Sequence, residues 1–315
     1  MRLARYGRCV TTVADLVKRS PVAVACYYLQ KDLRANLSER RHRIPTVAVH
    51  TGGHEQSIER AAKEARKIFD QVVHQSGISS LSGRHVLELG PGDDLGIAML
   101  FQDGGAETTV SDRFLVRRDP ARLTILARSL GLSGDSRPTV VEGVGAERAA
   151  EHFGSRVFDL VYSIAVLEHV GSLDAALGSV MALLRPGGVM VHYIGGGDHG
   201  MFSGHDPLTY LRIPRTIYRA MTTHSGGPNR VYPIDVRRVM ERSGWRYSLS
   251  LTQVMTQPFL SESQALPVDV AQYPDLAEQV ERMRACLREP FRSLPAGELL
   301  VEGTLLVAQR PGASS

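Results

Sequence analysis

The sequence predicts an α/β fold built on a doubly wound, mostly parallel sheet. Three observations carry that expectation. Short apolar runs recur through the middle of the chain, most of them are apolar on both faces, and the intervals between them are long enough for helical crossovers. The runs are "HVLELG" (85–90), "ETTVSD" (107–112), "PTVVEG" (138–143), "FDLVYSI" (158–164) and "GGVMVHYI" (187–194).

Taken in order, residues 1–79 are expected to form an N-terminal helical cap. Up to about residue 37 the chain reads as helical, followed by the basic, proline-ended "SERRHRIP" and a turn at "HTGGHEQ", where Gly52 and Gly53 interrupt regular structure. From Ser57 to Gln75, Ile58, Ala61, Ala62, Ala65, Ile68, Phe69, Val72 and Val73 fall at helical spacing, so one stripe must face a core. Residues 80–315 then form the sheet domain, with a helix around Ser172 to Leu184. Beyond Ile194 a Gly- and His-rich stretch intervenes. After it come a helix over 233–243, a strand over 245–254 and a helix over 274–287, the last inside a helical insertion at about 256–298. A final strand over 303–308 completes the domain.

Composition bounds what such a domain does. The 315 residues are 43% hydrophobic and 22% charged, an ordinary globular balance with enough apolar material for a sizeable core. A net charge of +4 is spread along the chain, and lysine occurs only at Lys18, Lys31, Lys63 and Lys67, so nucleic acid is permitted but not indicated. Cys9, Cys26 and Cys286 are odd in number and in no CxxC spacing, which argues against a disulfide framework or a zinc site and fits a reduced cytoplasm. "PVAVACYYL" (21–29) is too short to span a bilayer.

The glycine turn in "HVLELGPGDDLG" (85–96) selects among ligands. In open parallel sheets ligands sit beyond the carboxyl ends of the strands, where glycines let the backbone approach. A phosphate-bearing cofactor would want a bare helix N-terminus or a following Lys, whereas Glu88, Asp93 and Asp94 crowd this turn with negative charge. S-adenosylmethionine has no phosphate, and its sulfonium and ammonium groups are cations that an acidic loop attracts. Asp112 closes the next strand twenty residues after Gly92, where its carboxylate would meet a ribose diol.

"VLELGPG", "VSD", "FDLVYSIAVLEHV" and "LLRPGGVMV", in this order over residues 80–195, resemble the motifs of the class I SAM-dependent methyltransferases. The resemblance implies a Rossmann-like, seven-stranded sheet with antiparallel last strands and S-adenosylmethionine as methyl donor. It also implies donor contacts. Glu88, Gly90, Pro91 and Gly92 would line the methionine end, Asp112 and Arg113 the ribose, and Ala146 in "GVGAE" the adenine, with Ser163 and Ile164 beneath. Two positions depart from the family pattern: Asp94 stands where a third glycine is usual, and Gly145 where an Asp usually precedes the adenine-loop alanine. "RPGG" at 185–188 needs no ligand to explain it, since it ends a helix and starts a strand.

Transfer to a hydroxyl needs alignment of the nucleophile and a base for its proton. The candidates stand at the ends of the fourth and fifth strands: Glu168 and His169, then His192, Asp198, His199, His205 and Asp206. His199 is expected as the general base with Asp198 orienting it, since a neighbouring carboxylate fixes an imidazole's tautomer, and His169 ranks second. Tyr162 would help shape the pocket. The same atoms suit a divalent ion, but their spacing matches no metal signature, so no metal is predicted.

The acceptor is expected to be a small hydroxylated molecule. "YSIAV" (162–166) stands where enzymes acting on nucleobase amines carry Asn/Asp-Pro-Pro-aromatic, and no cysteine is there for C5-pyrimidine chemistry. "GPGDDLGIAMLF", "DHG" before "PLTYLRIP", "PNR" and "GELLVEGTLLVAQRP" further resemble a bacterial subgroup associated with polysaccharide and specialised-metabolite pathways, which implies O-methylation of a sugar or glycan-like hydroxyl. Arg212, Arg215 and Arg230 are available for an anionic acceptor group. A homo-oligomer is compatible with the sequence. Rival readings are a catalytically silent scaffold that keeps the donor fold, favoured by the altered Asp94 and Gly145 positions, and a nucleic-acid methyltransferase anchored by "SERRHR".

Overall fold

The computed structural model describes residues 20–42, 57–132, 137–154 and 157–312. Cys9, the helix expected before residue 20 and the turn around Gly52 and Gly53 lie outside them. The described elements are α1 (Pro21–His42), α2 (Ile58–Ser76), β1 (His85–Leu89), α3 (Gly96–Asp103), β2 (Glu107–Asp112), α4 (Pro120–Ser129) and β3 (Thr139–Glu142), then α5 (Ala149–Phe153), β4 (Phe158–Ile164), α6 (Leu173–Leu183) and β5 (Leu184–Gly195). α7 (Arg215–Thr222), α8 (Pro233–Ser243), β6 (Arg246–Val254), β7 (Phe259–Ala265), α9 (Pro274–Arg284), α10 (Ala296–Leu299) and β8 (Val301–Gln309) follow.

One eight-stranded sheet runs β3-β2-β1-β4-β5-β8-β6-β7. The first five strands are parallel, and β8 inserts antiparallel between β5 and β6. This is the Rossmann-like arrangement with antiparallel last strands. The count differs from seven because β7 pairs antiparallel with β6 and adds an eighth strand. It opens the 256–298 segment, which the sequence predicts to be a helical insertion. The strand escapes detection by periodicity because "FLSESQA" lies at the sheet edge with six of its seven positions exposed, so no apolar alternation marks it.

Alternation along the central strands divides the core in two. Leu87, Leu89, Phe158, Val161 and Met190 face α6 and α8, while Val86, Leu160, Tyr162, Val189 and Val191 face α2 and α3. The stripe on α2 docks as its spacing requires, with Ala61, Ala62, Ala65 and Val72 buried. Ser57 caps the helix by accepting from the Arg60 amide at 3.3 Å, and Gly77 (φ 65°) ends it in a left-handed turn.

α1 returns over a satellite core of residues from after β5, among them Met201, Tyr210, Tyr218 and Met255. Its tie to the rest is polar. Asp32, buried, accepts from the backbone amides of both His224 and Ser225 at 2.8 Å, and Glu39 meets His224 Nδ1 at 2.9 Å. The strapped loop in turn touches the end of β2: Arg113 donates to the Thr223 carbonyl at 3.2 Å, and a Cβ at Gly226 would stand 2.9 Å from the Phe114 ring. No helix among the described residues is long and apolar enough to cross a membrane.

Candidate active site

The carboxyl ends of β1, β2, β4 and β5 bring the expected donor-site residues together. Gly90 and Gly92 adopt left-handed φ values of 65° and 66°. At Gly90 the need for glycine is double, because an added Cβ would stand 2.5 Å from Val166 Cγ2, whereas Gly92 has open space. Asp112 accepts from the Gly92 amide at 3.3 Å with one oxygen and from the Phe114 amide at 2.9 Å with the other. A carboxylate has about four acceptor sites, so both oxygens keep capacity for a diol. Ser111 Oγ donates to the Val144 carbonyl at 2.7 Å, fixing the loop that carries the buried Ala146 against the same strand end.

The turn is acidic and partly compensated. Arg118, which no sequence motif marks, donates to the Gly92 carbonyl at 3.0 Å and to Glu142 at 2.8 Å. The Arg118 guanidinium thus acts on Glu88, Asp112 and Glu142, while Arg122 is the cation beside Asp94. The carboxylates demand a counter-cation, yet nothing local distinguishes Arg118 from Arg113 or Arg117. Arg113 itself turns outward to Phe114 and Thr223. The acidic lining suits a cationic, phosphate-free ligand, and Gly90 closes against Val166 at its edge.

Glu88 is opposite Tyr162 in the β1–β4 register, and the buried Tyr162 hydroxyl donates to it at 2.9 Å. Burial pushes the Glu88 carboxyl up to about 8 from the ordinary 4.5. Burial likewise lifts Glu168 to about 8. Both folded values exceed the unfolded one, so the ligand-free fold retains protons that the unfolded chain releases above pH 4.5. The stability due to them is complete below the unfolded value and disappears as pH rises through about 8. Thermal unfolding should therefore show stability falling between about pH 5 and 8, at up to about 1.4 kcal/mol per pH unit for each group, and less steeply in Glu88→Gln. A flat profile in that window would contradict the assignment.

The candidate bases sort into separate places. Glu168, His169 and His199 converge, each offering a ligand atom within 4.8 Å of the others, and the two imidazoles stack edge to face at 4.9 Å. Glu168 accepts from the Gly195 amide at 2.9 Å with Oε1, while its buried Oε2 has no hydrogen-bond partner among the described residues. His199 holds φ 50° and Ala165, at the end of β4, φ 55°. Left-handed backbone at non-glycine residues concentrates at functional sites.

Asp198 is engaged away from the imidazole it is expected to orient. Its two oxygens accept from the amides of Gly200 at 2.9 Å and Phe202 at 2.7 Å, so it shapes the turn after β5. The carboxylate gathered with His199 is Glu168. His192 is wholly buried in the β4–β5 ladder, where its Nδ1 meets Ser163 Oγ at 2.8 Å, and burial drops its basicity to about 3. It is neutral scaffold, and Ser163 is its partner. Asp206 accepts from Gln279 at 3.3 Å, and His205 lines a small 190 Å³ cavity with Asp198. Of the five residues on β5 and just after it whose atoms suit a metal, only His199 belongs to the group with ligand geometry found among the described residues.

Two cavities meet this region. A 220 Å³ pocket at the methionine end is lined by Glu88, Gly90, Pro91 and Asp94, together with Glu64, Ile68 and Ile164. The last three also line a 660 Å³ cavity that runs past Tyr193 and Gly195 to the β7 edge. α2 presents Glu64, Lys67, Gln71 and His74 to it. These recur every three or four residues opposite the apolar stripe, a face that sequence alone reads as solvent. His74 is the site residue most easily missed.

A family profile described as a methyltransferase domain matches residues 56–225, more than half of the chain. No curated protein matches the sequence. Similar solved structures include phosphoethanolamine N-methyltransferase 2 of Haemonchus contortus in complex with S-adenosyl-L-methionine, at 15% identity and a TM-score of 0.43 over 78% of this chain and 52% of that one. A SAM-dependent methyltransferase from Archaeoglobus fulgidus gives 14% and 0.44 over 81% and 96%. Magnesium protoporphyrin IX methyltransferase from Synechocystis, with SAM bound, gives 12% and 0.42 over 79% of each chain. The present chain thus spans about half the length of the Haemonchus enzyme.

Proposed function

Because the chain belongs to the methyltransferase-domain family and carries the class I order of strands, we propose that it moves a methyl group from S-adenosylmethionine to a hydroxyl oxygen of a small acceptor. The acceptor is a sugar, a glycan-like molecule or a specialised metabolite, and the reaction takes place in the cytoplasm. The observation that carries this reading is the shared wall of Glu64, Ile68 and Ile164, which joins the methionine-end pocket to a cavity of 660 Å³, ample for such an acceptor. α2 supplies Glu64 and Ile68 of that wall, and β4 supplies Ile164.

The donor supplies an electrophilic methyl carbon on its sulfonium. Asp94 attracts its cationic end, and Glu88, protonated in the ligand-free fold, gives up its proton as that charge arrives, while Gly90, Pro91 and Gly92 let the backbone close in; Asp112 accepts from the ribose hydroxyls beside Arg113, Ala146 borders the adenine, and Ser163 and Ile164 support the floor. His199 takes the hydroxyl proton as the oxygen forms its bond to carbon and the sulfur–carbon bond breaks. Glu168 replaces Asp198 as the carboxylate that orients it, and His169 packs against the imidazole. Calorimetry with S-adenosylhomocysteine and release of that product from hydroxylated acceptors test the reading. Saturable binding with turnover on at least one hydroxyl acceptor is expected. Absence of donor binding at millimolar concentration would leave the chain a silent scaffold, and turnover only on nitrogen or carbon acceptors would reject O-methylation.

A further inference from the structure

A second cavity, of 580 Å³, lies on the other side of His169, between the start of α6, α7, the start of α8 and the segment at Phe291. Its charge is unbalanced. Arg230 is half-buried there, its guanidinium 4.2 Å from the Tyr218 ring centre and 5.1 Å from that of Phe291, and it donates to the Ile213 carbonyl at 2.8 Å. Among the described residues no carboxylate pairs with Arg230, nor with Arg215 or Arg219, which line the same cavity. Arg215 is close enough to disfavour the Arg230 charge, adding to the effect of burial.

The acidic residues of the cavity are engaged elsewhere. Asp174 pairs with Arg242, Asp235 with Arg238 and the Tyr232 amide, and Glu289 accepts from Ser293. Buried cations in proteins are normally paired. A half-buried guanidinium set between two aromatic rings, with the exposed Arg215 and Arg219 lining the same cavity, leaves room for an anion. The planar fork of arginine suits the oxygens of a phosphate.

We propose that this cavity binds the phosphate group of a phosphorylated ligand through Arg230, Arg215 and Arg219. Combined with the methyl-transfer reading, on which this second step rests, that ligand is the acceptor, which then lies in this cavity rather than in the 660 Å³ one: its anionic group anchors here while its hydroxyl reaches past His169, which lines the cavity, to the Glu168–His199 group.

Inorganic phosphate is the first probe, titrated into the full chain and followed by calorimetry. One phosphate per chain is expected to bind. Arg215→Ala with Arg219→Ala should weaken it at least about tenfold, whereas Arg246→Ala, an exposed arginine on β6, should change it less than about twofold. Equal binding by the double variant, or no uptake by the wild type at about 10 mM, overturns the site. Arg230 also supports local backbone, so the test rests on Arg215 and Arg219 alone. The second arm compares release of S-adenosylhomocysteine from hydroxylated acceptors with and without a phosphate. A phosphate-dependent KM that rises at least about tenfold in the double variant places the acceptor there. Equal KM values with and without phosphate mean that the cavity holds a free anion and refute the acceptor step. Arginine-dependent phosphate binding with no methyl transfer to any acceptor refutes the methyl-transfer reading and leaves the anion site standing.

Discussion

A Gly90→Ala protein is expected to bind S-adenosylhomocysteine at least about 100-fold more weakly than the wild type, a loss of about 2.7 kcal/mol. Two costs combine. A φ of 65° disfavours any L side chain by about 1–2 kcal/mol. The new methyl would also stand 2.5 Å from Val166 Cγ2, and overpacking of this kind costs about 1–3 kcal/mol. Relief requires Val166 to retreat, and Val166 leads into the turn Leu167–His169 that carries Glu168. The damage therefore extends from the donor cradle to the base. Gly92→Ala is the matched control: its φ is 66° but nothing lies within 4 Å of the added carbon, so only the backbone cost applies. Similar losses in the two variants, measured by calorimetry alongside thermal unfolding, would show that the Val166 contact is not what shapes the cradle.

The second large effect is on turnover. His199→Asn and Glu168→Gln should each lower kcat by about 10²–10⁴, the usual worth of a positioned general base, with donor affinity within about twofold of wild type. Asparagine tolerates the left-handed backbone at 199 better than alanine does, so the variant removes the imidazole and little else. Asp198→Asn should instead lower stability more than turnover, because its oxygens hold the Gly200 and Phe202 amides. A wild-type rate for His199→Asn would sink the base assignment. Rate losses in His199→Asn and Asp198→Asn, with Glu168→Gln at the wild-type rate, would restore the adjacent-pair arrangement that the sequence suggests.

How much of this was legible in the sequence depended on the range of the interactions. The parallel strands were readable because burial on two faces leaves continuous apolar runs, as in "FDLVYSI". β7 was not, since an exposed edge strand has no buried face to write a pattern. The gathering of Glu88, Gly90 and Asp112 at neighbouring strand ends was readable because it follows from a short loop and one adjacent strand. The Glu168–His199 association was not, because two residues thirty-one positions apart meet only when β4 and β5 align. His192 misled by its chemistry, although it shares a strand face with the buried Met190 and Ile194. His74 and Arg118 were hidden on segments whose simplest reading was solvent and loop.

The strap from Asp32 to the amides of His224 and Ser225 gives the two sides of the donor cleft different histories. The glycine side joins neighbouring strands and closes over short stretches of chain. The opposite side depends on a contact spanning 192 residues, whose closure entropy must be met before Phe114 and Arg113 gain their neighbours. A nascent chain that has not yet delivered Ser225 therefore holds a half-built cleft, and the order of synthesis makes cofactor capture a late event in maturation.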